Sequence, residues 1–437
     1  MSELRPDYLA ILLRSTTGTF IIRATSLAIL LLTQILLARL MGASEFGLYS
    51  FVVAWIVVLA RLTTGGLDTA ATRFVSRYRS DKDWLSISHF RRYSENIILL
   101  LSTLTIPAFG LALLIKLNTS EISSYLIAGS LLILILATLT VRQGILQGLR
   151  YMKKSFVPDA IIRPGLLALI SASLILFGFS TKANMMLYIH LLSASVALIA
   201  SSVFLHHIKL DKSSSPLPEE KQQEWASVRW VLYGVGILSV AQMNLGIIIL
   251  GILSDDKSVG LYSVAARIAE LTSFGLITIN MAFAPIASEL FQKRDNRTLQ
   301  TVLTRSANYG FFVAIIIGIV LLAFGPVLLS AFGREFSSAY PAMMVLVVAQ
   351  IINAAAGPVA IIMMMTIYQA AALKISILSI LLNIALCIAL IPRYGALGAA
   401  TASGIALVSW RMIALVYLYK KEHIRTWPSW RPTNPTA

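Results

Sequence analysis

Charge is what this 437-residue sequence has least of. Asp, Glu, Lys and Arg make up 13%, about half the roughly 25% of a soluble globular chain. Hydrophobic residues take 57%, and the mean hydropathy is +0.79. So few charges cannot cover a water-facing surface, which excludes the set of about three soluble domains that this length would otherwise suggest. A single cysteine, Cys387, excludes an intramolecular disulfide. The histidines (His89, His190, His206, His207, His423) show no metal-ligand spacing, and no GxxxxGK(S/T) phosphate loop occurs. No metal or cofactor is therefore expected. Acidic residues are the scarcer sign: 20 against 36 basic, a net charge of +16.

What is present is a series of apolar stretches near the roughly 20 residues needed to cross a bilayer. Twelve can be traced: 15–38, 46–70, 94–115, 122–141, 160–180, 184–206, 229–253, 259–285, 306–331, 341–365, 371–391 and 396–418. The fold class expected is an all-α, polytopic membrane protein. Lys and Arg in short loops stay cytoplasmic. One set of loops, counted with both termini, holds 26 basic residues; the alternate loops hold six, Arg39, Lys116, Lys182, Lys257, Arg334 and Arg393. Both termini are expected in the cytoplasm. Because membrane topology accounts for the basic excess, no nucleic-acid partner is expected.

The sequence also repeats. Gly47-Leu48-Tyr49-Ser50 recurs as Gly260-Leu261-Tyr262-Ser263, 213 residues on, and the same offset aligns Leu40 with Leu253, Ala71 with Ala284 and Gly144 with Gly357. Each copy opens the second span of its half. Six spans per half return the chain to its starting side, so the expectation is two six-helix lobes related by a pseudo-two-fold along the membrane normal. Parallel repeats of this kind build transporters with a site near the midplane that rocks between two faces. The predicted division is an N-terminal lobe over 1–206, a cytoplasmic linker over 207–228 containing Ser213-Ser214-Ser215-Pro216-Leu217-Pro218, and a C-terminal lobe with a short tail over 229–437.

Four basic residues fall well inside spans, Arg23, Arg61, Arg267 and Arg411; Arg163, Arg229 and Lys374, within three positions of a span end, are counted with the adjoining loops. Insertion scales charge each about 2.5–3.5 kcal/mol near a helix centre, so such residues usually face a bundle interior or a wet cavity. Helical spacing places Thr16, Thr19, Arg23, Ser26 and Thr33 on one face of span 1. Arg61, Thr64, Gly65, Asp68 and Thr72 share a face of span 2, and Ser263, Arg267 and Glu270 a face of span 8. Arg23 and Arg61 have no opposite charge within one helical turn. The plainer readings are that Asp68 pairs with Arg73, that Arg267 and Glu270 neutralise each other, that Arg411 marks the wet end of span 12 or packs against another helix, and that the Ser and Thr stripes are helix packing. A net basic interior favours an anionic ligand, and the guanidinium fork matches phosphate oxygens.

Several motifs resemble a known family. Ala38-Arg39-Leu40-Met41-Gly42-Ala43-Ser44-Glu45-Phe46-Gly47-Leu48-Tyr49 is similar to the loop between spans 1 and 2 of bacterial polysaccharide exporters of the O-antigen flippase type. Gly144-Ile145-Leu146-Gln147-Gly148-Leu149, Val259-Gly260-Leu261-Tyr262-Ser263-Val264-Ala265 and Tyr394-Gly395-Ala396-Leu397-Gly398-Ala399-Ala400 are similar to later motifs of that family. The resemblance implies two six-helix lobes, as in multidrug and toxin extrusion transporters and lipid II flippases. It also implies translocation of a polyprenyl-pyrophosphate-linked oligosaccharide across a bacterial cytoplasmic membrane for surface polysaccharide such as O-antigen. Arg23, Arg61 and Arg267 match in kind the cavity arginines of that superfamily and are the expected substrate-binding residues. Asp68 and Glu270 are candidates for coupling to protons or sodium. Membrane lipids and polysaccharide assembly proteins are the expected partners. No catalytic activity is expected. A cation-coupled multidrug antiporter of the same fold is the alternative, and a membrane glycosyltransferase or polymerase is disfavoured by the short outer loops.

Overall fold

A computed structural model describes residues 6–117, 119–206, 219–276, 290, 296–365 and 368–429; the side chains of 6–24, 119–120, 228–232, 235, 296–297 and 364–365 fall outside the description. Among the described residues there are thirteen α-helices and no strand. They are α1 (Pro6–Thr63), α2 (Leu67–Ser80), α3 (Trp84–Leu114), α4 (Thr119–Gly148), α5 (Met152–Val157), α6 (Arg163–Leu176) and α7 (Ala183–His206). There follow α8 (Glu219–Leu253), α9 (Asp256–Glu270), α10 (Asn296–Ser330), α11 (Tyr340–Ala355), α12 (Val359–Met365) and α13 (Gln369–Glu422). A π-helical turn, Pro158–Ile162, joins α5 to α6.

Nine helical runs among the described residues are long and apolar enough to cross a membrane. Two of them break at a glycine: α1 at Gly42 (φ 72°, ψ 174°) and α13 at Gly395 (φ 51°, ψ −126°). A side chain disfavours such angles, so each break ends one span and starts the next. α9 begins a further span that continues through a 3-10 turn, Leu271–Ser273. Twelve spans result, as the hydropathy pattern expects. Their outer faces carry large apolar side chains that a soluble protein would bury, among them Leu104, Leu192, Ile199, Phe312 and Ile319.

The chain divides into two compact units. One comprises residues 21–244, and the other is built on 245–437 with the N-terminal part of α1. In the first unit α2, α3 and α4 enclose a core of Phe74, Ile87, Phe90, Ile145, Leu146 and Trp225. Two glycines of α4 permit the close approach of α2: a Cβ on Gly144 would strike the Asp68 carbonyl, and one on Gly148 would lie 2.8 Å from Val75 Cβ. Thr72 Oγ1 donates to the Gly144 carbonyl at 3.4 Å. The similarity of the Gly144–Leu149 segment to a family motif thus has a packing cause, small residues one helical turn apart. In the second unit Leu299, Leu303, Val359, Met363, Ala414 and Leu418 form the corresponding centre.

The 213-residue repeat is visible in three dimensions. Tyr49 Oη lies 2.8 Å from His190 Nδ1, and Tyr262 Oη lies 3.0 Å from Ser403 Oγ, each pair 141 residues apart. Gly42 has Asp255 at the offset, and both sit where a second span begins. Asp255 does by capping what Gly42 does by its φ: its carboxylate accepts from the Ser258 backbone N at 3.2 Å and hydroxyl at 2.7 Å. Those Ser258 hydrogen bonds hold the Asp255 carboxyl below its ordinary range.

One expectation about the linker changes. Residues 219–228 are already helix, the first turns of α8, and they dock on α2 and α3. Trp225 is fully buried, donates from Nε1 to Tyr78 Oη at 2.8 Å, and meets the Phe90 ring edge-on at 5.3 Å. Arg77 donates to both Glu224 oxygens, at 2.7 and 2.9 Å, and Lys221 to Asp83 at 3.1 Å. The Ser-Pro segment itself lies outside the described residues.

Candidate functional site

Arg61 stands in the last turn of α1. The sequence stripe assumed one continuous helix through Thr72, but Thr64, Gly65 and Gly66 form a turn, with φ of 56° and 79° at the glycines. That break brings α2 back so that Asp68, at its N-terminus, meets the guanidinium: Arg61 Nη1 donates to Asp68 Oδ2. The pair is largely shielded, with side chains 22% and 11% exposed. Arg61 is therefore paired, contrary to the expectation from helical spacing, and Asp68 takes Arg61 rather than Arg73 as its hydrogen-bonded partner. Asp68 Oδ1 is buried with no hydrogen-bond partner of its own. The guanidinium lies against α8 at Gly236, where an added Cβ would come within 2.7 Å of Nη2. Nearby, Tyr233 Oη donates to the Leu62 carbonyl at 2.9 Å.

In the second unit Arg267 Nη1 donates to Glu270 Oε2 at 3.2 Å, with both side chains 38% exposed. This is the mutual neutralisation that their three-residue spacing allows. Further along, Ser273 donates to Gln350 Oε1 at 2.5 Å, and Asn353 Nδ2 donates to the same oxygen at 2.9 Å. Arg411 lies with its guanidinium carbon 4.8 Å from the Trp410 ring centre, and its Nε is buried without an acceptor. The Arg23 side chain lies outside the described residues. Each described arginine of the proposed trio thus has a carboxylate on it: Asp68 for Arg61, Glu270 for Arg267.

Sequence reasoning missed the polar partners of Arg163 inside the first unit. Arg163, three residues into the expected span 160–180, was counted with the adjoining loop. The helical run instead starts at Met152, eleven residues before Arg163, or about 16 Å of helix. Arg163 Nε donates to Asp159 Oδ1 at 2.8 Å, across the π-helical turn, and Nη1 lies 3.0 Å from His190 Nε2. A guanidinium cannot accept, so His190 Nε2 accepts, and Nδ1 carries the proton toward Tyr49. Asp159, Arg163, His190 and Tyr49 form one polar line inside the first unit. The repeat did not signal it, since His190 falls opposite Ser403 at the 213-residue offset and only the tyrosines match. Among the described residues no three His, Cys, Asp or Glu side chains gather as metal ligands.

Residues 12–291 match a family model described as polysaccharide biosynthesis protein, and residues 235–389 match the MatE model. No curated protein matches the sequence. Among solved structures, the inward-facing form of a multidrug resistance MATE family transporter of the MOP superfamily superposes with a TM-score of 0.70 at 16% identity, over 92% of this chain and 99% of that one. The lipid II flippase MurJ, in an inward closed conformation, gives 0.73 at 15% identity over 92% and 87%. A MOP superfamily transporter from Pyrococcus furiosus, described as having a binding pocket of reverse polarity, gives 0.62 at 16% identity over 91% and 94%. At such identities the likeness is one of fold. It defines the class: a polytopic membrane protein with the fold of the MOP-superfamily transporters. The polysaccharide biosynthesis model spans well over half of the sequence, and the chain belongs to that family.

Proposed function

We propose that the protein is a flippase for lipid-linked oligosaccharides. It moves polyprenyl-pyrophosphate-linked sugar units from the cytoplasmic to the outer leaflet of a bacterial cytoplasmic membrane by alternating access, for assembly of a surface polysaccharide such as O-antigen. Both termini are cytoplasmic, as the distribution of basic residues favours. Family membership supports the class of substrate. The observation that carries the mechanism is the pairing of intramembrane arginines with carboxylates, Arg61 with Asp68 and Arg267 with Glu270.

A guanidinium held by one carboxylate keeps the remaining edges of its five-donor fork for another oxyanion. Substrate oxyanions then displace or share the carboxylate at Arg61 in the one unit and at Arg267 in the other, with Arg23 as a further cation. Released Asp68 and Glu270 can take up protons or sodium, which couples substrate exchange to an ion gradient. The polyprenyl tail stays in lipid, and enzymes of polysaccharide assembly supply and consume the substrate. No catalytic step belongs to this chain in this reading.

The test is complementation of a deletion strain with Arg23→Ala, Arg61→Ala and Arg267→Ala, singly. Each is expected to abolish surface polysaccharide while its level in the membrane stays normal. Full complementation by all three would overturn the assignment of these arginines. The match of 235–389 to the MatE model favours a second reading, cation-coupled drug export. Expression that raises drug resistance without restoring polysaccharide would select it.

A further inference from the structure

A cavity of about 380 Å³ in the first unit lies between the start of α3 and the ends of α4 and α7. Arg91 and Glu95 line it from α3, Arg142 from α4, and Ser202, Val203 and His206 from α7. Its charges do not balance. Glu95 Oε1 is 3.7 Å from Arg91 Nε and 3.7 Å from Arg142 Nη2, so one carboxylate serves two guanidiniums, beyond hydrogen-bond distance of either. Arg142 Nη1 donates to Ser202 Oγ. The Nε atoms of Arg91 and Arg142 are both buried without an acceptor. Two guanidiniums from different helices share a single carboxylate at one cavity, which leaves it a net positive charge that an oxyanion complements, and the guanidinium fork fits phosphate.

The surroundings decide which phosphate. On α7, Leu192, Val196, Ile199 and Val203 follow helical spacing, and all are exposed, Ile199 to 62%. On α3, Leu99 continues the face of Arg91 and Glu95 and is 60% exposed. Apolar stripes for acyl chains therefore end at a cationic cavity, at the depth where the helices change from apolar to basic. That is the layout of a lipid headgroup site.

We propose that this cavity binds the phosphate of an anionic phospholipid, with its acyl chains along the exposed faces of α3 and α7. The site is separate from Arg61 and Arg267 and does not depend on the transported substrate. The experiment is native mass spectrometry of the full-length protein titrated with phosphatidylglycerol, and with phosphatidylcholine and inorganic phosphate as contrasts. Phosphatidylglycerol should bind, and the double variant Arg91→Ala, Arg142→Ala should weaken it about tenfold or more, the size of one lost charge-assisted hydrogen bond. Arg92→Ala, which removes one positive charge from an exposed neighbour, should leave it unchanged. Should the double variant fail to fold, Glu95→Gln decides: removal of the competing carboxylate should tighten phosphatidylglycerol binding about threefold or more, an effect misfolding cannot imitate. Phosphatidylglycerol binding untouched by the double variant, equal binding of inorganic phosphate, or unchanged or weaker binding to Glu95→Gln would each overturn the proposal.

Discussion

Arg61 shows how a single residue was half legible. Its place inside a span, on a polar face, was readable from hydropathy and spacing. Its partner was not, because Asp68 is seven positions on, and only the left-handed turn at Gly65 and Gly66 brings it back. No helical periodicity contains that turn. The contact with Gly236 gives a test that leaves Arg61 itself in place. An added Cβ there meets the far end of a flexible side chain rather than backbone, so the guanidinium gives way. Gly236→Val is expected to lower polysaccharide export nearly as far as Arg61→Ala, at normal membrane level. The Asp159–Arg163–His190–Tyr49 line carries a second expectation. His190→Ala removes the acceptor of a partly buried guanidinium, at a cost of about 1–3 kcal/mol, read as a lower midpoint of thermal unfolding in detergent. Tyr49→Phe keeps that Arg163–His190 contact and should cost less.

Helix positions were more legible than helix joints. Hydropathy gave the spans because a bilayer demands long apolar runs whatever their partners. The docking of 219–228 was hidden, because a Glu-Glu-Lys-Gln-Gln-Glu run following a Ser-Pro segment looks like solvated linker. Only Trp225 hinted otherwise. Fully buried and ringed by Phe90, Tyr93 and Tyr78, it should cost about 3–5 kcal/mol as Trp225→Ala, measured by unfolding of the purified protein. The ion pair beside it acts more weakly, since both side chains are part-exposed. The hydrogen bond from Arg77 holds the Glu224 carboxyl below its ordinary 4.5. A depressed carboxyl stabilises the fold fully above 4.5, and that contribution fades as pH falls through the depressed value. The stability gap between the native protein and Glu224→Gln should accordingly be constant at neutral pH and close on acidification below about 4.5. At the α2–α4 contact, Gly144→Val drives a side chain into the Asp68 carbonyl. It should cost about 1–3 kcal/mol and, by moving Asp68, impair export as well.

For the whole molecule, the repeat was the most informative feature of the sequence, and its four-residue signature understated it. Tyr49 with His190 and Tyr262 with Ser403 keep one spacing of 141 residues with different partners, so the geometry persisted while the chemistry diverged. That divergence is why sequence alone could not reveal the first unit's polar line. The +16 net charge, by contrast, says little about partners, because most basic residues lie in the loops between spans; the arginines inside the spans carry the functional claim. That claim is tested most directly by reconstituting the purified protein in proteoliposomes with a polyprenyl-pyrophosphate oligosaccharide. Transfer to the outer leaflet is then followed with an impermeant sugar-binding probe. The expected result is protein-dependent transfer that Arg61→Ala and Arg267→Ala reduce to the rate of protein-free vesicles. Transfer no faster than in protein-free vesicles by the native protein, correctly folded, would contradict it.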